Sequence, residues 1–353
     1  MEKDIHYPLE LSSNLDGSFY SGVDSHKKDI ESIFSKHWQY LGPSLYCEQP
    51  GDSFPAQLAG IPVFITKGPQ QELRGFFNIC RHRGGPIVRG RGNFRKFTCQ
   101  YHGWCYSDEG KLIAAPHMKD AEDFSQENFP LRSFKVKEWG GMIFGCLHEK
   151  HDLEMEILLG ISERIQPLKL SDLAFFQRDS YDIPCNWKLY VDNYLEGYHV
   201  PYVHPKLSKV LDMSAYKTEL HTWYSLQHSP ILDKSPIYAS EGATAFYYFI
   251  FPNLMLNILP GRMQVNIVEP ISNDRCTVHF DYYYPKSQSA EETRRVAVHD
   301  RAFSDEVQKE DVWICGELQK AMDSGRYEAG RLCPKFESGV HHFQGLVREH
   351  LTI

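Results

Sequence analysis

The 353-residue chain has a formal net charge of −8, and 42% of its residues are hydrophobic. That is an ordinary globular composition, with room for two domains and a sizeable core. The mild acidity, with no basic patch that stands out, excludes a nucleic-acid or anionic-membrane partner, and no run of about 20 apolar residues is present to span a bilayer. The charged N-terminus, Met1-Glu-Lys-Asp-Ile-His, shows no secretory or transit signal. The nine cysteines form no disulfide framework in a chain this long, so a reducing, cytoplasmic compartment is expected.

In chain order, Ser25–Gln39 carries Ile30, Ile33, Phe34 and Trp38 at helical spacing and predicts an amphipathic helix. Tyr40–Cys47 and Ser53–Ile65 read as short strands. Phe76–Ile79 and Phe94–Thr98 each run into a loop holding one Cys and one His, and Gly103–Ala115 and Ser133–Phe144 continue the strand pattern. Residues 38–150 are therefore expected to form a small all-β domain, with 1–37 and 151–353 making a second one. There, Ala174–Asp182 is a strand, and Trp187–Tyr198 has Trp187, Tyr190, Val191, Tyr194, Leu195 and Tyr198 on one helical face. Phe246–Phe251, Leu254–Leu259, Met263–Val268 and Cys276–Tyr284 form an antiparallel meander, and Ala302–Met322 and Gly339–Leu351 are helices. The fold class is α+β: an all-β domain beside an antiparallel sheet covered by helices.

The chemistry is concentrated first at C-R-H-R-G-G (Cys80–Gly85) and C-Q-Y-H-G-W (Cys99–Trp104). Cys80, His82, Cys99 and His102 supply two thiolates and two imidazoles. A [2Fe-2S] cluster with two Cys on one iron and two His on the other needs this donor set, and the neutral imidazoles raise its potential. A zinc site takes the same donor count, but zinc spacings pair like ligands, whereas here each pair mixes Cys with His. Gly84, Gly85 and Gly103 let backbone approach the sulfides, and Tyr101 and Trp104 are placed to shield the cluster.

A second constellation lies in E-G-Y-H-V-P-Y-V-H. Pro201 is expected to break the helix after His199, so that His204 folds back beside it. Two His and one carboxylate make the facial triad of non-haem iron(II) enzymes, which leaves positions open for O2. Asp311 falls on the apolar stripe of Val307, Ile314, Leu318 and Met322, where a carboxylate is costly unless paired or metal-bound, and is the expected third ligand; Glu310 is the alternative. Glu196, three before His199, and Asp192, four before Glu196, are candidates to hydrogen-bond an iron-bound His.

From about Trp38 onward the chain resembles the α subunit of Rieske non-haem iron oxygenases, nearest the choline monooxygenase-like branch. The resemblance rests on the two Cys/His motifs, C-N-W-K (Cys185–Lys188), V-D-N-Y-L-E-G-Y-H-V-P-Y (Val191–Tyr202), F-P-N-L-M-L-N (Phe251–Asn257), F-D-Y (Phe280–Tyr282) and V-Q-K-E-D-V-W-I-C (Val307–Cys315). It implies a terminal oxygenase with a [2Fe-2S] cluster at Cys80, His82, Cys99 and His102 and mononuclear Fe(II) at His199, His204 and Asp311. It implies a homotrimer in which an acidic residue, Glu196 or its rival Asp192, links one subunit's iron to a neighbour's cluster. It also implies a separate NAD(P)H-dependent flavin or iron–sulfur reductase, and no G-x-G-x-x-G opens a helix in this chain. The branch implies a small quaternary ammonium substrate, with Tyr202, Phe246, Tyr247, Tyr248, Phe249, Phe251 and Tyr282 as candidates for an aromatic cage. An aromatic or aryl-ether substrate changes only the pocket. A Rieske electron carrier without the second iron would not need the half beyond Cys146.

Overall fold

The computed structural model describes residues 8–148, 155–166, 168–232 and 243–351. It divides into two compact units, Phe34–Glu154 and Met1–Ile33 with Met155–Ile353.

The first unit is built almost wholly of strands: β1 (Gln39–Pro43), β2 (Asp52–Leu58), β3 (Ile61–Lys67), β4 (Leu73–Phe77), β5 (Gly92–Asn93), β6 (Phe97–Thr98), β7 (Cys105–Tyr106), β8 (Leu112–Ala114), β9 (Ser133–Trp139) and β10 (Met142–Cys146). Seven form an antiparallel sheet in the order β1-β10-β9-β4-β3-β2-β5, and β6-β7-β8 make a separate three-stranded sheet. Leu41, Phe54, Leu58, Val63, Ile65 and Ile143 fill one core. A second, around Phe64, Phe76, Phe97, Trp104 and Tyr106, includes Cys80 and Cys99, so the cluster motifs are backed by apolar packing. The strand expected over Tyr40–Cys47 ends at Pro43, and Ser44–Cys47 is a 3-10 turn.

The second unit holds α1 (Ser18–Ser21), α2 (Ser25–Asp29), α3 (Met155–Arg164), α4 (Trp187–Tyr194), α5 (Val200–Val203), α6 (Ala290–Asp323) and α7 (Ser338–Leu351). Its strands are β11 (Leu173–Ile183), β12 (Lys217–Leu220), β13 (Tyr224–Pro230), β14 (Thr244–Ile250), β15 (Leu254–Leu259), β16 (Arg262–Ser272) and β17 (Arg275–Pro285), in the antiparallel order β11-β17-β16-β15-β14-β13-β12. The expected helix Ser25–Gln39 is α2 continued by one π-helical turn to Phe34, and Gln39 already belongs to β1.

Two helices depart from the periodicity reading for identifiable reasons. α6 starts at Ala290, twelve residues before the expected Ala302. Ser289 caps it by accepting the Glu292 N–H, and Glu291 and Glu292 occupy the first turn. Its buried stripe is Gln308, Asp311, Cys315, Gln319 and Met322, while Leu318 is exposed. Polar residues occupy this stripe because they serve α4: Gln308 Oε1 accepts the Tyr190 hydroxyl at 2.7 Å, and Gln319 Oε1 accepts the Asn186 N–H at 2.8 Å. α4 stops at Tyr194, four residues short of the expected Tyr198. Its first turn is fixed by Asn186, whose side chain accepts the Lys188 N–H, and by Asp29, which accepts the Trp187 indole N–H at 2.7 Å and pairs with Lys188. Trp187, Lys188 and Asp29 are all fully buried.

Candidate metal centres

In the β unit, Cys80 and His82 lie in the loop after β4, and Cys99 and His102 lie between β6 and β7. The two loops fold alike. The Gly84 N–H reaches the Cys80 carbonyl at 2.9 Å and the Gly103 N–H reaches the Cys99 carbonyl at 3.0 Å. Both glycines have left-handed φ, 73° and 74°, which L side chains rarely adopt. A Cβ on Gly85 would sit 3.0 Å from Cys99 Sγ, so a side chain there would crowd the thiol. The loops bring the His82 and His102 ring centroids within 4.7 Å and place both thiols below 4% exposure. Burial and the neighbouring Cys80 push the Cys99 thiol up, so a bound cation is what would hold this sulfur as a thiolate. His82 Nδ1 is buried and has no hydrogen-bond partner. An orphaned ring nitrogen beside two buried thiols fits a [2Fe-2S] cluster.

The surroundings add one contact that the motifs did not reveal. The Tyr106 hydroxyl lies 3.2 Å from Cys80 Sγ and accepts the Arg81 N–H at 3.0 Å; toward a thiolate at Cys80 it would be the donor. Its signal was its place two residues after Trp104 in a strand that pairs back onto β6. Trp104 stacks on His82 at 4.9 Å and is buried, while Tyr101 is 57% exposed against His102. Cys105 accepts the Thr98 hydroxyl.

In the α+β unit, His199 and His204 flank α5 as its N- and C-cap, with Pro201 in the first helical turn. The break therefore precedes His199, whereas the sequence placed it at Pro201; proline is tolerated where the N–H has no helical partner. Glu196 makes this turn. Its Oε2 accepts the backbone N–H of Tyr198 and, at 3.0 Å, that of His199, while its Oε1 meets His199 Nδ1. Nδ1 is thereby committed to Glu196, and His199 lines the cavity, so Nε2 is the nitrogen that could serve a metal there. The His199 and His204 rings lie 5.0 Å apart at 77°.

α6 supplies the carboxylates. His204 Nε2 lies 3.0 Å from Asp311 Oδ1, and His204 Nδ1 lies 2.7 Å from Glu310 Oε2. Asn193 on α4 donates to Asp311 Oδ1 at 2.6 Å. One ligand atom from each of His199, His204 and Asp311 falls within 4.8 Å of the others, a donor set that fits a 2-His-1-carboxylate iron. Burial alone would depress the His204 ring, but the Asp311 and Glu310 carboxylates outweigh it and raise its pKa, so a cation is welcome at this point. Glu310, the alternative ligand in the sequence, lies on the other ring nitrogen of His204 from Asp311.

Asp192 points elsewhere. It accepts the Tyr20 hydroxyl at 2.6 Å and the Gln344 amide at 3.2 Å, and it does not line the cavity beside the His pair. That cavity, of about 150 Å³, is walled by Tyr194, Tyr216, Tyr247, Phe280 and Phe303. Of the seven aromatics considered for a cage, only Tyr247 lines it. Tyr202 is 81% exposed, and Tyr248, Phe249, Phe251 and Tyr282 are buried. Strand alternation sends half of any aromatic run away from a given face.

Comparison with known proteins gives the same picture. The model of the Rieske [2Fe-2S] domain matches residues 37–135, and that of the ring hydroxylating alpha subunit (catalytic domain) matches residues 170–353. The chloroplastic choline monooxygenase of Arabidopsis thaliana is 30% identical over 100% of this chain and 86% of its own. The carnitine monooxygenase oxygenase subunit of Acinetobacter baumannii is 26% identical over 94% of this chain and 93% of its own. A quaternary ammonium Rieske monooxygenase, whose structure addresses carnitine oxidation and inter-subunit electron transfer, superposes with a TM-score of 0.87 at 24% identity, covering 97% of this chain and 96% of that one; this likeness shows the fold. No helix among the described residues is long and apolar enough to cross a membrane.

Proposed function

The chain belongs to the ring-hydroxylating α-subunit family of Rieske non-haem iron oxygenases, and from that premise we propose that it hydroxylates or N-dealkylates a small quaternary ammonium compound. It is the oxygenase component of a system that draws electrons from a partner reductase, which we take to be an NAD(P)H-dependent flavin or iron–sulfur protein. One C–H bond, O2, two electrons and two protons give one C–OH and one water; where the carbon is bonded to nitrogen, the product collapses to an amine and an aldehyde. When bound, the cluster supplies single electrons and the iron supplies a redox centre with positions open to O2.

The chain's own residues do the positioning. Cys80, His82, Cys99 and His102 hold the cluster, and the Tyr106 hydroxyl donates toward Cys80. His199, His204 and Asp311 hold the iron. Glu196 and Glu310 occupy the imidazole nitrogens turned away from it and fix both rings. Glu196 is also the link to the cluster of a neighbouring subunit in a homotrimer. The substrate class is supported by the choline and carnitine relatives and by a cavity walled with aromatic faces, over which an ammonium group is stable. A cytoplasmic location is supported by nine cysteines that are all unpaired.

The observation that carries the reading is the convergence of His199, His204 and Asp311 beneath one cavity. His199→Ala and Asp311→Ala should each lose one iron per chain and all turnover, with the visible spectrum of the cluster unchanged. Turnover that survives either change would place the reaction elsewhere.

A further inference from the structure

The cavity has a floor of neutral polar side chains to which the reaction above gives no task. Cross-strand register sets Tyr247, Asn257, Gln264 and Tyr282 opposite one another in succession from β14 to β17, so all four share one face of the sheet. Asn266, two residues beyond Gln264, is on that face too. The row is tied together: the Tyr194 hydroxyl donates to Asn257 Oδ1 at 2.7 Å, Asn257 Nδ2 to Gln264 Oε1 at 3.0 Å, and Gln264 Nε2 to Ser304 Oγ at 3.3 Å. Apart from Arg262, which is ion-paired with Asp300, two side chains at the cavity keep an unmet polar atom. Asn266 is 3% exposed with Oδ1 unpartnered, and Gln308 is 1% exposed with Nε2 unpartnered. Buried amide atoms are destabilising unless something satisfies them, and a ligand in this space can offer both a donor and an acceptor.

Charge narrows what that ligand is. Among the described residues lining the cavity, Arg262 is the one arginine or lysine. It is buried and committed to Asp300, which also accepts the Tyr284 hydroxyl at 2.8 Å. The carboxylates at the cavity, Glu196 and Asp311, are occupied at the iron site. A substrate carboxylate would lose its hydration here and gain amides but no arginine or lysine beyond the one committed to Asp300. A hydroxyl loses less and is met by both kinds of group.

Resting on the quaternary ammonium reading above, we infer that the cavity selects an ammonium alcohol, holding its neutral end on the Asn257–Gln264–Asn266 floor and Gln308, and discriminates against zwitterions that carry a carboxylate. The test is calorimetric binding to the iron-loaded enzyme under anaerobic conditions, with choline, L-carnitine, γ-butyrobetaine and tetramethylammonium as ligands. Choline should bind at least about ten-fold tighter than L-carnitine or γ-butyrobetaine, since one unmet hydrogen bond or stranded charge is enough for that ratio. Asn266→Leu and Gln308→Leu should each weaken choline about ten-fold and leave tetramethylammonium, which has no second polar group, unchanged. Should a variant fail to fold, the wild-type ligand series decides alone. L-carnitine or γ-butyrobetaine binding as tightly as choline overturns the inference and leaves the substrate class standing. An enzyme that binds none of the four but binds an aromatic acid overturns both.

Discussion

Replacing Glu310 separates the two carboxylates that meet His204. Its Oε2 lies 2.7 Å from His204 Nδ1, while Asp311 lies on Nε2. A charge-assisted hydrogen bond to the outer nitrogen of a ligating His fixes the ring and raises its basicity, and losing one typically weakens metal binding 10–100-fold, or about 1.4–2.8 kcal/mol. The Glu310 side chain is 31% exposed, so water takes over part of its role, and the low end, about ten-fold, is expected for Glu310→Ala. Glu310→Gln keeps an acceptor and should recover most of that loss. Asp311→Ala removes a ligand and should leave no measurable site. The assay is ferrous titration of the iron-depleted protein against a chelator of known affinity, with the visible spectrum of the cluster as internal standard. If Glu310→Ala binds no iron while Asp311→Ala still does, the two roles are exchanged and the geometry has been misread.

Two further outcomes concern stability. Burial pushes the Asp192 carboxyl up to about 7, against the Tyr20 and Gln344 hydrogen bonds that favour its charged form. The native chain therefore holds this proton more tightly than the unfolded one. The contribution is complete below the ordinary aspartate value of 3.8 and is lost as pH rises through about 7. At ~1.4 kcal/mol per pH unit this is on the order of 4 kcal/mol, so the melting temperature of Asp192→Asn should fall less than that of the wild type between pH 5 and pH 8; equal falls would refute the assignment. Asp29→Ala strands the fully buried Lys188 and the Trp187 indole N–H, and should cost about 3–5 kcal/mol in urea denaturation. A loss below ~1 kcal/mol would mean that Lys188 finds another partner or sheds its proton.

What the sequence determined by itself was chemistry held within short spans. Each cluster loop carries its Cys, its His and its left-handed glycine inside a few residues, so the candidate ligand set and the turn that presents it were legible together. The His199/His204 pair was legible for the same reason, and Asp311 because a carboxylate on a buried face needs a partner. Tertiary structure decided matters that depend on residues far apart. Gln308 and Gln319 are polar yet buried because α4 offers them hydrogen bonds, which rotates the α6 stripe away from the one periodicity gives. Glu196 shapes the turn between two helices by accepting two backbone N–H groups, and Glu310 reaches a histidine 106 positions away. The cavity face of the sheet, where four strands line up Tyr247, Asn257, Gln264 and Tyr282, exists only once register is set. Alternation along one strand names the two faces, but only the packing of helices against one of them says which becomes the wall of a site.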